Sequence, residues 1–240
     1  MHRARRLATV ALAASLAAAA GLAGCRSAPS VAAYVGQNRI SEDRVSAVYN
    51  DARDKSVTPA DGQQATSTIK RQDVLDTLVG LDVMRDIAQR RGLNPTALDS
   101  SQVAQAVGLK ADAEYVRLYG EFRGLLNSVG NAAKPAQPTP ADLRDVFNRL
   151  TAGGGNPNGA TFEQFSTGIS DTDRQTLAQN IGLRNDLQPQ IAKLNTVVNP
   201  RYSEPELPLV STQGADGREV PLVVLSLAPS QARPPVVDVP

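Results

Sequence analysis

Past residue 30, the apolar positions change period along the chain. Val31-Ala-Ala-Tyr-Val35 puts Val31, Ala33 and Val35 on one side of a short run, which predicts a strand. Gly36-Gln37-Asn38-Arg39 reads as a turn. After Ile40, Ser41 caps a predicted helix to about Asp54, with Glu42 and Asp43 in its first turn. A second helix is predicted from about Ser67 to Arg91. Its Val74, Leu78, Leu81, Met84 and Ile87 spread round more than half the wheel, as in a helix with neighbours on several sides, and Gly92 ends it. A short helix near Ser100–Val107 follows. The stretch from Asp112 to Val129 sets Tyr115, Leu118, Tyr119, Phe122, Leu125 and Leu126 at steps of three and four, the clearest amphipathic stripe in the chain.

Proline and glycine punctuate the second half. Thr139-Pro140 opens a helix to Leu150, with proline at the first helical position and Val146, Phe147 and Leu150 on its apolar side. Gly153 to Gly159 reads as a flexible connection, since a phosphate-binding loop needs a preceding strand and a G-K-[ST] ending that are both missing. Thr161–Phe165 is a short turn or helix. A long helix runs from Asp171 to about Leu194, and Pro189 should kink or break it. Thr196–Tyr202, Leu207–Val210 and Val220–Leu225 are extended, and residues 228–240, with four prolines, read as a disordered tail. The order strand, helices, strands predicts a mainly α fold with a small β-sheet (α+β). In it Val31–Val35 pairs with Thr196–Tyr202 or Val220–Leu225, because a lone strand leaves backbone groups unpaired.

The first residues follow a different logic. Arg3, Arg5 and Arg6 precede the Ala/Leu-rich run Leu7–Leu22, which leads into Leu22-Ala23-Gly24-Cys25. A charged n-region and an apolar h-region make a secretory signal. Small residues before cysteine resemble a bacterial lipobox. Residues 1–24 are therefore expected to be removed, Cys25 to carry the lipid, and residues 25–30 to form a tether. The protein would sit at the outer face of the cytoplasmic membrane, held by its acyl chains.

This processing changes the available chemistry. Cleavage removes Arg3, Arg5 and Arg6, taking the formal charge from +1 to −2, and removes His2, the one histidine. Cys25, the one cysteine, is alkylated. Serine or cysteine triads and His/Cys metal sites then lack their parts, and no cofactor or metal is expected. The 25 basic residues against 24 acidic leave no cationic excess for nucleic acid, and with aromatics at 4% and no Trp there is no base-stacking platform. Ser67-Thr-Ile-Lys70 matches the S-x-x-K of penicillin-recognising enzymes, but without K-T-G or S-D-N it is better read as a helix cap. Asp171 and Asp173 read as residues that cap and charge-match a helix N-terminus.

The run Val31-Ala-Ala-Tyr-Val-Gly-Gln-Asn-Arg-Ile-Ser-Glu-Asp-Arg-Val45 resembles the start of the SurA N-terminal domain family: a short strand, a Gly/Asn turn, an Ile, then a polar cap and helix. Arg90-Arg-Gly-Leu93 after the long apolar helix is similar, as are Thr139-Pro-Ala-Asp-Leu-Arg-Asp-Val-Phe147 and Val197-Val-Asn-Pro-Arg-Tyr202. The likeness covers roughly residues 31–203, and one helical domain is expected over residues 31–227. The resemblance implies a chaperone scaffold related to SurA, PrsA and trigger factor. SurA and PrsA insert a parvulin-type prolyl isomerase between their helical parts. Only about 20 residues separate Leu150 from Asp171 here, against at least about 50 for a domain. The expectation is a holdase for unfolded exported polypeptides, not an enzyme, with Phe147, Phe162 and Phe165 as candidate polypeptide-binding residues. The alternatives are a structural lipoprotein with one envelope partner, or a carboxylate enzyme or small-ligand binder.

Overall fold

The computed structural model describes residues 30–57, 69–155 and 159–229. The signal-like segment, Cys25, Ser67 and residues 230–240 lie outside the described residues.

Strand β1 (Val31–Val35) turns through Gly36-Gln37 into β2 (Asn38–Ser41), so the turn is two residues shorter than the sequence suggests. Gly36 holds φ +59°, the left-handed backbone that two-residue hairpins favour, and its N–H donates to the Leu194 carbonyl at 2.8 Å. On the other side of β1 lies β3 (Val197–Val198), giving the order β2-β1-β3. Asn199 fastens this closure, donating from Nδ2 to the Val31 carbonyl at 2.9 Å and from its backbone N–H to Ala32. Of the two partners expected for β1, the 196–202 segment is the one found. β4 (Glu206–Gln213) and β5 (Glu219–Ser226) instead pair with each other as a separate antiparallel hairpin.

The helices are α1 (Glu42–Asp54), α2 (Arg71–Arg91), α3 (Ser100–Val107), α4 (Glu114–Ala132), α5 (Pro140–Ala152), α6 (Phe162–Gly168) and α7 (Asp171–Ala192). Mainly α with small antiparallel sheets is therefore the observed class. Side-chain caps explain several starts. Ser41 accepts from the Arg44 N–H at 3.1 Å, Asp99 from those of Ser101 and Gln102, and Ser170 from that of Asp173. α2 begins at Arg71, where the Asp73 carboxylate accepts from the Lys70 N–H at 2.6 Å. Pro189 does not break α7. It sits in the last turn, where its fixed φ suits a helix and only the Asn185 carbonyl loses its donor, and the helix runs on to Ala192.

α2 is the centre of the main core. Val74, Leu75, Val79, Met84 and Ile87 are fully buried, as the wide apolar face predicts, and α4 packs along it with Phe122 over Gly80. α1, the three-stranded sheet, the second half of α7 and Leu207, Leu225 and Leu227 from the hairpin segment complete this core. A smaller core forms from Leu143, Val146, Leu177, Ile181 and Val223. Helix α7 serves both, with Leu177 and Ile181 in the small core and Leu183, Leu187 and Ile191 in the large one. Ala228, expected to begin the tail, is buried and belongs to the fold.

Candidate functional site

The small core is incomplete, and the gap is a cleft of about 490 Å³ between α5, α6, the start of α7 and the β4–β5 hairpin. Its walls are largely apolar: Val146, Phe147, Leu150, Phe165, Leu177 and Leu222. Clefts of this size and character are where proteins hold ligands.

Local chemistry places each wall. Thr139 and Asp142 form a capping box at the start of α5. The Thr139 Oγ1 accepts from the Asp142 N–H at 3.2 Å while the Asp142 carboxylate accepts from the Thr139 N–H at 2.9 Å. The same carboxylate accepts from Arg184 Nη2 at 2.6 Å, tying α5 to α7. Burial works against this charge, but the Thr139 hydroxyl and the Arg184 guanidinium outweigh it and hold Asp142 below the usual carboxylate range. A second box, Thr161 with Gln164, starts α6.

The three phenylalanines singled out from sequence meet here. Phe147 and Phe165 have ring centroids 5.4 Å apart, and Phe147 and Phe162 lie 5.9 Å apart, edge to face at 66°. All three are half-buried. Phe147 and Phe165 line the cleft; Phe162 does not, but packs behind Phe147 with the Arg144 guanidinium 3.8 Å from its ring centroid.

The hairpin wall was not foreseen. Along β4 and β5 the pairing runs Pro208↔Val224, Val210↔Val223, Ser211↔Pro221, so Leu209 and Leu222 are each the extra residue of a bulge. Bulges re-aim side chains beside functional sites. Leu209 packs against both cores, and Leu222 turns into the cleft beside Val210 and Thr212. Each bulged leucine follows a proline, Pro208 or Pro221, and proline inside a strand pattern is the signal that could have revealed it. The hairpin tip rests on the glycine run read as a flexible connection. Ala215 N–H donates to the Gly153 carbonyl at 3.3 Å, and a Cβ on Gly153 would collide with the Val220 side chain. In its described part, Gly153–Gly155, that run is a seat for the hairpin.

Gln164, Asp173, Thr176 and Thr212 are the polar residues of the lining. Asp173 is a cap partner as expected, accepting the Ser170 hydroxyl at 2.7 Å through Oδ2, and it is also the cleft's one ionisable side chain. Among the described residues no group of three or more His, Cys, Asp or Glu could hold a metal ion, and no helix is long and apolar enough to cross a membrane. Such a lining can exclude water, accept several apolar side chains and make a few directed polar contacts.

A second cavity of about 450 Å³ lies against α2 and includes Asp76, Tyr115, Tyr119 and Glu206. Burial pushes the Asp76 carboxyl up to about 7; Gln72, donating at 2.7 Å, opposes this, while Asp73 and Glu206 add to it. Compared with protein family models, curated proteins and solved structures, the chain finds no match.

Proposed function

We propose that the chain is a lipid-anchored lipoprotein, attached through Cys25 at the outer face of the cytoplasmic membrane. There it would bind apolar segments of unfolded or partly folded exported polypeptides as a holdase without prolyl isomerase activity. The observation that carries this reading is the 490 Å³ cleft, in which the half-buried Phe147 and Phe165 stand open beside the bulged Leu222. An apolar hollow with a polar rim is a surface on which an unfolded chain can bury side chains that would otherwise drive aggregation. The lipobox-like Leu22–Cys25 supports the location, and the SurA-like order of motifs over residues 31–203 supports the chaperone class.

Light scattering tests it. The chain at stoichiometric excess suppresses aggregation of a diluted, chemically unfolded client, and Phe147→Ser with Phe165→Ser loses most of that suppression at a temperature where circular dichroism shows the less stable variant still fully folded. Absence of suppression by the unaltered protein sinks the reading. Cys25→Ala abolishes lipid labelling and releases the protein from membranes.

A second reading, a structural lipoprotein with one folded envelope partner, is favoured by the fixed shape of the cleft, clamped by Asp142–Arg184 and by the hairpin on Gly153. A pull-down returning one folded partner at fixed stoichiometry supports it over the holdase.

A further inference from the structure

The charge round the cleft points to the kind of segment it takes. We infer that the cleft selects apolar polypeptide segments flanked by Lys or Arg over the same segments flanked by Asp or Glu. This deepens the reading of the cleft as a polypeptide site and rests on it.

Two of the cations near the cleft are neutralised by carboxylates, and the other two keep their charge but are held in place by a carbonyl and by a ring. Arg184 is paired with Asp142 and Arg149 with Asp145; Arg174 donates to the Ser166 carbonyl at 3.2 Å; Arg144 lies on the Phe162 ring. The anions are not engaged in this way. Glu163 in the first turn of α6, and Asp171 and Asp173 in the first turn of α7, are exposed and have no ion-pair partner among the described residues. Asp173 is itself in the lining, and its Oδ1 makes no hydrogen bond among the described residues while Oδ2 takes Ser170. Negative side chains also already occupy the start of α7, so its dipole is not left to attract an acidic ligand.

The lining further suits a peptide better than an acyl chain. Gln164 accepts from the Thr161 N–H through Oε1, which leaves its Nε2 donors turned to no described partner, and the Thr212 hydroxyl has none either. These groups match the N–H and C=O of an extended backbone, and the apolar walls match its side chains. A hydrocarbon tail offers these groups no partner.

Fluorescence anisotropy of the purified chain with labelled ten-residue peptides decides it. Two peptides share one Leu/Val/Phe centre and differ only in paired Lys or paired Glu flanks; a fluorescent hexadecanoic acid is the third probe. The Lys-flanked peptide binds about threefold tighter than the Glu-flanked one, as expected for a partly exposed ion pair. The ratio falls towards one in Asp173→Asn, which keeps an acceptor for Ser170, and also in 0.5 M salt. Equal binding of the two peptides by the unaltered chain, or tighter binding of the Glu-flanked one, overturns the selection while leaving the polypeptide site standing. Binding of the fatty acid with neither peptide bound overturns the polypeptide site itself. A ratio unchanged by Asp173→Asn removes Asp173 from the account and overturns this inference.

Discussion

The two cores are built from the same residue types and end up in opposite states. Around α2, Leu75, Met84 and Ile87 are fully buried, and Tyr115 and Phe122 are 4% exposed. Around α5, the small core has only five buried apolar residues, and its aromatics stop half-way: Phe147, Phe162 and Phe165 touch one another and still face water. One helix joins them, and α7 buries Leu187 and Ile191 completely at one end while Leu177 at the other lines a cleft. The difference is in what arrives opposite. α2 meets α1, α4, the sheet and one end of the hairpin, whereas α5 meets only β5 of the hairpin and the short α6. An aromatic stripe on a helix therefore does not by itself mark either a core or a binding face; what packs against it decides.

That contrast can be broken by measurement. Leu75→Ala, at the filled centre, lowers unfolding free energy by about 3 kcal/mol, whereas Phe147→Ala costs about 1.5 kcal/mol because part of its surface is already solvated and water can fill the space it leaves. Urea denaturation checks both, and equal losses would mean that the cleft is closed in solution. Gly153→Val comes next. The new side chain must push Val220 and the hairpin tip off their seat, costing about 2 kcal/mol and opening the 219–226 strand to amide exchange while α2 stays protected. Asp142→Ala removes a cap and the tie to Arg184, for a loss of about 1.5 kcal/mol at pH 7. Asp142 has a lowered carboxyl pKa, so its contribution is present above the ordinary carboxylate range and fades as pH falls below it. The variant and the parent should therefore converge in acid.

Much of the helical body was legible because a 3.6-residue period is specific over long windows. The stripe of Tyr115, Leu118 and Phe122 and the broad face of α2 both point to the residues that are buried. The candidate cleft was half legible. Phe147, Phe162 and Phe165 stand out as aromatics beside a short connection, and two of the three line the cleft, but nothing periodic assigns Val210 and Leu222 to the facing wall. The strict two-residue alternation of a strand fails at the Leu209 and Leu222 bulges, so the alternation misassigns their faces. The partner of β1 stayed open for a related reason. Val197-Val198 and Val220–Leu225 are both good strand formers; the second is taken by its hairpin with β4, and the first is held on β1 by Asn199, which bonds Val31 across a long stretch of sequence. Pro189 does not end the helix, because a proline's effect depends on how many helical residues precede and follow it.

The smallest predicted effect separates the two halves by pH. Asp76 belongs to the filled body, on α2, and burial raises its carboxyl to about 7 from an ordinary value near 3.8. Between those values the folded protein holds a proton that the unfolded chain has released, so ν_U is below ν_N and stability declines as pH rises through this window. Its contribution is complete below about pH 3.8 and lost above about 7. Asp76 is only half-buried, so water screens much of the effect and about 1 kcal/mol is expected. Asp76→Asn keeps an acceptor for Gln72 and cannot ionise. It should equal the parent near pH 4, exceed it by that amount at pH 8, and leave peptide binding at the cleft untouched at both. A denaturation series showing no difference at pH 8 would mean that the carboxylate finds water or a cation in the cavity beside Tyr115. A change in cleft affinity would mean that the two halves are coupled through α7 rather than merely joined by it.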